Sequence, residues 1–344
     1  MQVSVTLVLL LAGSNIAHAQ AYRFSQFYAA PLYLNPALSG LENKMYAGIN
    51  HRTQQQANVK FHTSQASFIY PVMLKGPVNR HIGGAGITLL RDAAGIAGEL
   101  VTNGVSLSYA HNLKLDFYGV NHLVLGLQGS YYQQRVETGN FTWGSQVTAG
   151  GFNRDITPAF SRNVRANGLG VNAGLVWVFN SKNMRYRPDL PFSSYLGFAA
   201  ANLNQPSMSF TDASDPLPIQ YKIHGGANVQ LSRKFSVQPS AMVLNQEYLT
   251  QVDVGAFMVF KHEFKSNVMQ NTTRIQLHTG AWHRLNNAFI ILLGASNGVF
   301  STAVSYDTNS FTPGSTASGT AFELSLSYKI QQRSDVKRVS TPLF

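Results

Sequence analysis

The chain has 344 residues, 26 Lys and Arg against 15 Asp and Glu for a net charge of +11, no cysteine, 12% charged and 11% aromatic residues. An ordinary soluble domain is about a quarter charged, so this composition argues against one, and the missing cysteine excludes a disulfide framework and a lipoprotein anchor. The positive balance admits anionic lipid head groups or lipopolysaccharide, an acidic protein partner, or scattered loop and lumen charges, while nucleic acid is set aside because no basic module is found.

Residues Met1–Ala19 read as a secretory signal, with an apolar core at Val5–Ala12 and an A-x-A cleavage site at Ala17-His18-Ala19. Its n-region, Met1-Gln2-Val3, carries no Lys or Arg. The core is shorter than the roughly 20 apolar residues that span a bilayer. Residues 20–43 hold an apolar and aromatic cluster of Phe24, Phe27, Tyr28, Leu32, Tyr33 and Leu34. It is too hydrophobic for a solvated leader and is expected to plug a lumen or cap its periplasmic mouth; a short unpaired extension is the plainer alternative. Pro31 and Asn35-Pro36-Ala37 fix turns, because proline sets its own φ and pushes the preceding residue out of helical space.

From residue 44 to 331 the pattern has period two. Phe322, Leu324, Leu326, Tyr328 and Ile330 alternate with Glu323, Ser325, Ser327 and Lys329; Tyr221 and Ile223 alternate with Lys222 and His224; Leu123, Leu125 and Leu127 alternate with His122, Gly126, Gln128 and Ser130; Phe289, Ile291 and Leu293 form another apolar face. The polar faces are rich in Gly, Ser, Asn and Gln rather than charge, which suits a crowded barrel interior more than the outside of a soluble sandwich.

The expected fold is an all-β transmembrane outer-membrane barrel of about 14 antiparallel strands, an even number that puts both termini in the periplasm. Strands are expected at 44–54, 58–70, 82–91, 99–113, 119–137, 168–179, 193–203, 219–232, 234–244, 248–261, 273–285, 287–296, 299–307 and 320–331. Ser232-Arg233-Lys234 and Asn297-Gly298 are tight periplasmic turns. Long outer loops fall at Thr138–Asn167, Asn204–Pro218 and Asn309–Gly319, and long periplasmic ones at Pro71–His81, Asn180–Phe192 and Lys261–Thr272. The first outer loop carries Phe141, Trp143, Arg154, Arg162 and Arg165. The second periplasmic loop sets Lys182, Arg185 and Arg187 beside Tyr186, and the tail 332–344 adds Arg333, Lys337 and Arg338.

No enzyme, cofactor or metal is expected. Ten His residues show no paired-ligand spacing, and His278 and His283, five apart on a strand, face opposite sides. Asp92 and Asp307 lie near the outer rim without a His partner. Gly83-Gly84-Ala85-Gly86 and the glycines from Gly168 to Gly174 lie in strands rather than before a helix, so they are not phosphate loops. Trp177, Trp282, Tyr109, Tyr131, Tyr195, Tyr306 and Tyr328 read as girdle or lumen aromatics.

The segment Phe24–Gly40 resembles the N-terminal signature of the PorP/SprF outer-membrane proteins of type IX secretion, close to FSQYMxNPLYxNPAxAG. Phe24, Ser25, Gln26, Pro31, Leu32, Tyr33, Asn35, Pro36, Ala37 and Gly40 match, and Ala30 replaces an Asn of the pattern. Tyr46–Arg52 is similar to the family's first strand, with His51 in place of an aromatic; Tyr195–Leu203, Phe235–Met242 and Tyr306-Asp307 resemble later strands, and Lys337–Phe344 a family ending with Thr341 for Cys.

The resemblance implies a non-enzymatic component of the secretion system that supports export or surface attachment of cargo, gliding adhesins included. It also implies contact with cargo through a C-terminal sorting domain and with a periplasmic ring lipoprotein and its partner. The outer loops at 138–167 and 204–218 would then meet cargo, and the basic periplasmic segments the ring. Two alternatives stay open: a plugged transporter of hydrophobic small molecules, like the fatty-acid channels, and a passive porin.

Overall fold

In the computed structural model, residues 23–56, 59–74, 76, 80–96, 99–136, 144–148, 150–153, 155–156, 164–186, 188–210, 216–265, 272–285, 287–309 and 319–331 are described. The expected signal sequence and the tail 332–344 lie outside them.

The period-two pattern becomes fourteen antiparallel strands closed edge to edge. They are β1 (Lys44–Gln56), β2 (Val59–Leu74), β3 (Arg80–Gly95), β4 (Leu100–Lys114), β5 (Asn121–Val136), β6 (Val164–Asn180) and β7 (Phe192–Ala201). The circuit continues through β8 (Gln220–Gln230), β9 (Phe235–Gln246), β10 (Leu249–Lys265), β11 (Thr272–Arg284), β12 (Ala288–Ser296), β13 (Phe300–Asn309) and β14 (Gly319–Gln331). Each strand pairs with its sequence neighbours, and β14 closes on β1 with Gln331 opposite Lys44 and Glu323 opposite Arg52. Closure leaves no unpaired sheet edge, which a lipid environment demands. The end where β1 starts and β14 stops is the near end; the opposite rim is the far end.

Side chains divide as the alternation predicts. Leu107, Leu127, Leu169, Ile223, Leu293 and Leu326 are exposed on the outer wall, while Lys222, His224, Gln128, Ile290, Leu292 and Glu323 are buried inside. So broad an apolar exterior is unfavourable in water and is the lipid-facing band of a membrane barrel. Trp177, Tyr109, Tyr131 and Tyr306 stand on that exterior, whereas Trp282 and Tyr195 are buried in the lumen.

The longest connections, after β5 and after β7, fall at the far end as expected, and the near end combines tight turns with the longer connection between Asn180 and Phe192. Asn297-Gly298 turns β12 into β13 with Gly298 at φ 84, and Asn297 Oδ1 accepts from Val299 N (3.0 Å) and Phe300 N (2.7 Å). Between β4 and β5, Asp116 accepts from Val120 N (2.8 Å) and Asn121 N (2.5 Å). Desolvation works to raise its pKa, but these backbone bonds outweigh it and hold the carboxyl below the usual range.

Several boundaries differ from expectation. Pro71 lies within β2, in register with Gly84 of β3 and beyond Ile69, where pairing with β1 ends, so the missing N–H is tolerated and the expected loop from Pro71 shortens; a register shift follows at Val72/Met73. β10 continues to Lys265, well past the expected end at 261. β6 begins at Val164, placing Arg165 on an exposed strand position rather than in a loop. The far-end connection before it also contains a small unpredicted hairpin, Val147–Thr148 with Gly151–Phe152.

Leu127→Arg places a charge on the outer wall at a position 65% exposed. Urea titration in phospholipid should show a loss of about 2–4 kcal/mol if the site lies near the bilayer midplane; no loss would mean that this face does not meet lipid.

Candidate functional site in the lumen

Residues 24–40 run through the barrel as three short helical pieces: a 3-10 turn at Phe27–Ala29, one α turn at Pro31–Leu34 and a 3-10 helix at Pro36–Gly40. Each of the last two starts on proline, which needs no backbone N–H partner at a first helical position. Phe27, Leu34, Ala37 and Leu38 pack against Ala110, Val124, Val176, Val178, Met242, Trp282, Ile290 and Leu292 of the wall. Phe24 and Ala30 pack on Leu90, with Tyr33 and Tyr132 beside them. Full burial of such an apolar side chain contributes about 1.5–3 kcal/mol, so the segment belongs to the core.

Toward the far end the seat is ionic. Arg52 lies 2.9 Å from Asp307 and 3.5 Å from Glu323, and Arg284 lies 2.9 Å from Asp253 and 3.4 Å from Asp307; all these side chains are at most 4% exposed. Three carboxylates against two guanidiniums leave an excess negative charge, and the plug supplies donors to it. Backbone N–H groups of Ser25 (2.7 Å) and Gln26 (3.2 Å) donate to the Glu323 carboxylate, and Ser25 Oγ donates to Asp307 Oδ2 (2.5 Å). Ser25 Oγ in turn accepts from Arg52 and Arg284. Gln26 uses its whole carboxamide: Nε2 donates to Ser305 Oγ (3.1 Å) and the Glu323 carbonyl (2.9 Å), and Oε1 accepts from Ser325 Oγ (2.6 Å). Arg23 adds a cation that donates to Gln251 Oε1 (3.3 Å), and Gln251 donates on to Asp253 (2.7 Å).

Lower down, the wall donates to carbonyls that the short helical pieces leave open. Tyr46 OH reaches Ala29 O (2.9 Å), Gln128 Nε2 reaches Leu32 O (3.2 Å), Lys222 Nζ reaches Tyr33 O (2.6 Å) and Asn112 Nδ2 reaches Gly40 O (3.1 Å). Lys222 Nζ also stands 3.6 Å from the Tyr33 ring centroid, a cation–π contact. Asn35 caps the last 3-10 helix through Ala37 N (2.9 Å), and its Nδ2 lies 3.1 Å from each of Leu175 O, Phe198 O and His224 Nε2. The Asn-Pro-Ala turn approaches this wall closely because Gly126 and Gly174, register partners on β5 and β6, present no side chain; a β-carbon at either would overlap Ala37 or Asn35.

The structure therefore gathers the expected motif residues Phe24, Gln26, Pro31, Tyr33, Asn35, Pro36, Ala37 and Gly40 inside the barrel. It also gives their direction. Gln251 and Arg284 stand at the far ends of β10 and β11, so Arg23 enters the seat from the far half of the lumen and the segment descends to β1 at the near end. Of the two expectations for this segment, plug and cap, residues 24–40 lie within the lumen. Of the expected outer-loop residues, Phe141, Trp143, Arg154 and Arg162 lie outside the described residues, as do Arg187, Arg333, Lys337 and Arg338. Arg185 and Tyr186 are exposed on the near-end connection after β6, with Lys182 half-buried beside them.

The sequence reading did not assign the wall partners Arg52, Asp253, Arg284, Asp307 and Glu323 to the seat. A charged residue on the polar face of an alternating strand was their only signal, visible at Glu323 and Lys222. Two of them, Arg52 and Asp307, stand in the strand segments that resemble the family. Motifs far apart in the chain thus meet around Ser25 and Gln26.

Glu323→Leu strips Arg52 of one carboxylate and leaves the Ser25 and Gln26 amides unpaired. Breaking a buried pair this way costs about 3–5 kcal/mol, measurable by urea titration. Limited proteolysis should then cut within 24–40 while circular dichroism retains the barrel's β signal; an intact plug at unchanged stability would contradict the seat.

Residues 16–328 match the family described as type IX secretion system membrane protein PorP/SprF. No curated protein matches the sequence. Among solved structures, the barrel is similar to the Pseudomonas putida toluene transporter TodX, at 9% identity over 91% of this chain and 95% of that one, with a TM-score of 0.48. It is similar also to the Ralstonia pickettii toluene transporter TbuX (10% identity, 88% and 93% covered, TM-score 0.45) and to a Pseudomonas aeruginosa FadL homologue (11%, 87% and 94%, 0.42). With the matched residues spanning the plug and nearly the whole barrel, the chain belongs to the PorP/SprF family of type IX secretion system membrane proteins.

Proposed function

We infer that this outer-membrane barrel is a non-enzymatic scaffold whose near end faces the periplasm and docks the secretion system's ring lipoprotein and its partner, while the far-end loops receive cargo. The observation that carries this reading is the filled lumen: a barrel occupied by its own Phe24–Gly40 segment offers a protein cargo surfaces rather than a conduit.

Charge distribution supports the orientation. Among the described residues near that end, Lys44, Arg80, Lys114, Lys182, Arg185, Arg233, Lys234, Lys261, Arg274 and Lys329 outnumber Glu42, Asp116, Asp189 and Glu263. Of those acids, Glu42 pairs with Lys329 (3.2 Å) and Glu263 with Arg274 (2.8 Å). Among the described residues at the far end, Lys60, Arg91, Arg135 and Arg165 stand against Asp92, Glu99, Asp155 and Glu247, a balance. One basic rim steers association with an acidic partner and leaves the other rim neutral. A transporter of hydrophobic small molecules remains the second reading, favoured by a cavity of about 130 Å³ lined in part by Tyr28, Leu38, Phe257 and Leu292.

Lys182→Glu combined with Arg185→Glu should leave the barrel assembled but lose recovery of the periplasmic ring proteins when cross-linked membranes are purified and identified by mass spectrometry. If the unaltered protein recovers no secretion component and the reconstituted barrel passes hydrophobic solute, the transporter reading replaces the scaffold.

A further inference from the structure

The charge balance at the far end hides a segregation. Among the described residues, Lys60, Arg91, Arg135 and Arg165 stand on β2, β3, β5 and β6, and the outer wall of β7–β14 carries no Lys or Arg in that half. On β1–β3 the outward side chains there are polar: His51, Thr53, Lys60, His62, Ser64 and Arg91. His51, Lys60, His62 and Arg91 are exposed. Asp92, the one acid on these three strands, turns inward to accept from Thr63 Oγ1 (2.6 Å). Glu99, in the connection after β3, stands against Gly95 past the end of this face.

These groups form a shelf. The His51 and His62 rings stack with centroids 6.4 Å apart and 15° between their planes. Thr53 Oγ1 lies 3.3 Å from His51 Nε2 and 3.2 Å from His62 Nδ1, and Ser64 Oγ lies 2.9 Å from His51 Nδ1. Arg91 stands opposite Ser64 and donates to Asn103 Oδ1 (3.5 Å). Two residues toward the near end on each strand, the same face turns apolar. Ala66 stands there between Ile49 and Leu89, and Ala47 between Tyr328 and Phe68. The two small side chains floor a groove of about 830 Å³ on the outer wall, with Ile49, Phe68, Leu89 and Tyr328 at its sides.

A cationic, hydrogen-bonding shelf directly above an apolar groove suits an amphiphile whose anionic head and acyl chain are joined. Arg and Lys on a lipid-facing wall are costly near the bilayer midplane and tolerated at its interface, where head groups meet them. We propose that β1–β3 hold one lipopolysaccharide molecule on the outer wall. A lipid A phosphate sits on Arg91, Lys60 and the His51–His62 shelf, and an acyl chain lies in the groove over Ala47 and Ala66. The planar fork of Arg91 matches phosphate oxygens, while the imidazoles and the Thr53 and Ser64 hydroxyls bond the sugar. Lipopolysaccharide is chosen over an anionic phospholipid because the orientation proposed above puts the far end in the outer leaflet. The lipid's identity rests on that reading; the shelf and groove do not.

Native mass spectrometry of the whole barrel, released in detergent and mixed with bisphosphorylated lipid A, tests it. The unaltered protein should retain one lipid A. Lys60→Gln with Arg91→Gln removes two charges near the membrane surface and should lower retention about tenfold or more. Ala66→Phe fills the groove with the charges intact and should also lower it, as should stripping both phosphates from the lipid A. Heat-modifiable gel mobility checks that each variant remains a barrel. Undiminished retention by either folded variant, or displacement of lipid A by an equal amount of phosphatidylglycerol, would overturn the proposal. On intact cells, Asp155→Cys, at an exposed position of the far-end connection after β5, should react with a membrane-impermeant maleimide. Protection at 155 would put the shelf in the inner leaflet and overturn lipopolysaccharide as its lipid together with the orientation. Failure to retain lipid A with 155 labelled would overturn the site alone.

Discussion

Everything in this barrel turns on the contact between the Ser25-Gln26 amides and the buried carboxylates of Glu323 and Asp307. A closed sheet of fourteen strands encloses more volume than its inward side chains fill, since about eight strands suffice for a packed interior. Its outer face must be apolar to meet lipid, so the polar half of every strand is left pointing inward. Those groups then need partners. Here the chain provides them from its own N-terminal segment, whose backbone donors meet the wall's excess negative charge and whose open carbonyls meet Tyr46, Asn112, Gln128 and Lys222.

Apolar and polar fitting divide the work along the segment. Phe24, Phe27, Leu34 and Leu38 contribute burial without direction. Gln26 and Asn35 set position, because each meets several wall groups whose placement depends on strand register. A one-residue slip in that register would turn Glu323 or Lys222 out into lipid. Plug and register therefore reinforce one another, and the glycine pair Gly126 and Gly174 lets the Asn-Pro-Ala turn reach the wall at all.

Much of the architecture was legible because period two is a local property. Glu323 between Phe322 and Leu324, or Lys222 between Tyr221 and Ile223, assigns faces without knowledge of any other strand. Length and hinge details were not local. Pro71 reads as a strand end, yet β2 continues through it because pairing with β1 has already ended at Ile69. Arg165 reads as loop because nothing near it announces the start of β6. The plug was legible as an apolar string unsuited to solvent, but not its direction, which depends on where Arg23 and Gln251 meet across 228 residues. The ionic seat was the least legible part, since Arg52 and Glu323 stand 271 residues apart and become partners only when β14 closes on β1.

The most direct measurement is of the plug itself. Leu32 rests on Gly86 inside the lumen, whereas the adjacent Ile87 points outward. The chain has no cysteine of its own, so an introduced pair reports without background. Leu32→Cys with Gly86→Cys should oxidise to an intramolecular bond in intact outer membranes, seen as a reductant-sensitive gel shift, and Leu32→Cys with Ile87→Cys should not. A bond at 87, or none at either position in a folded barrel, would contradict a segment seated in the lumen.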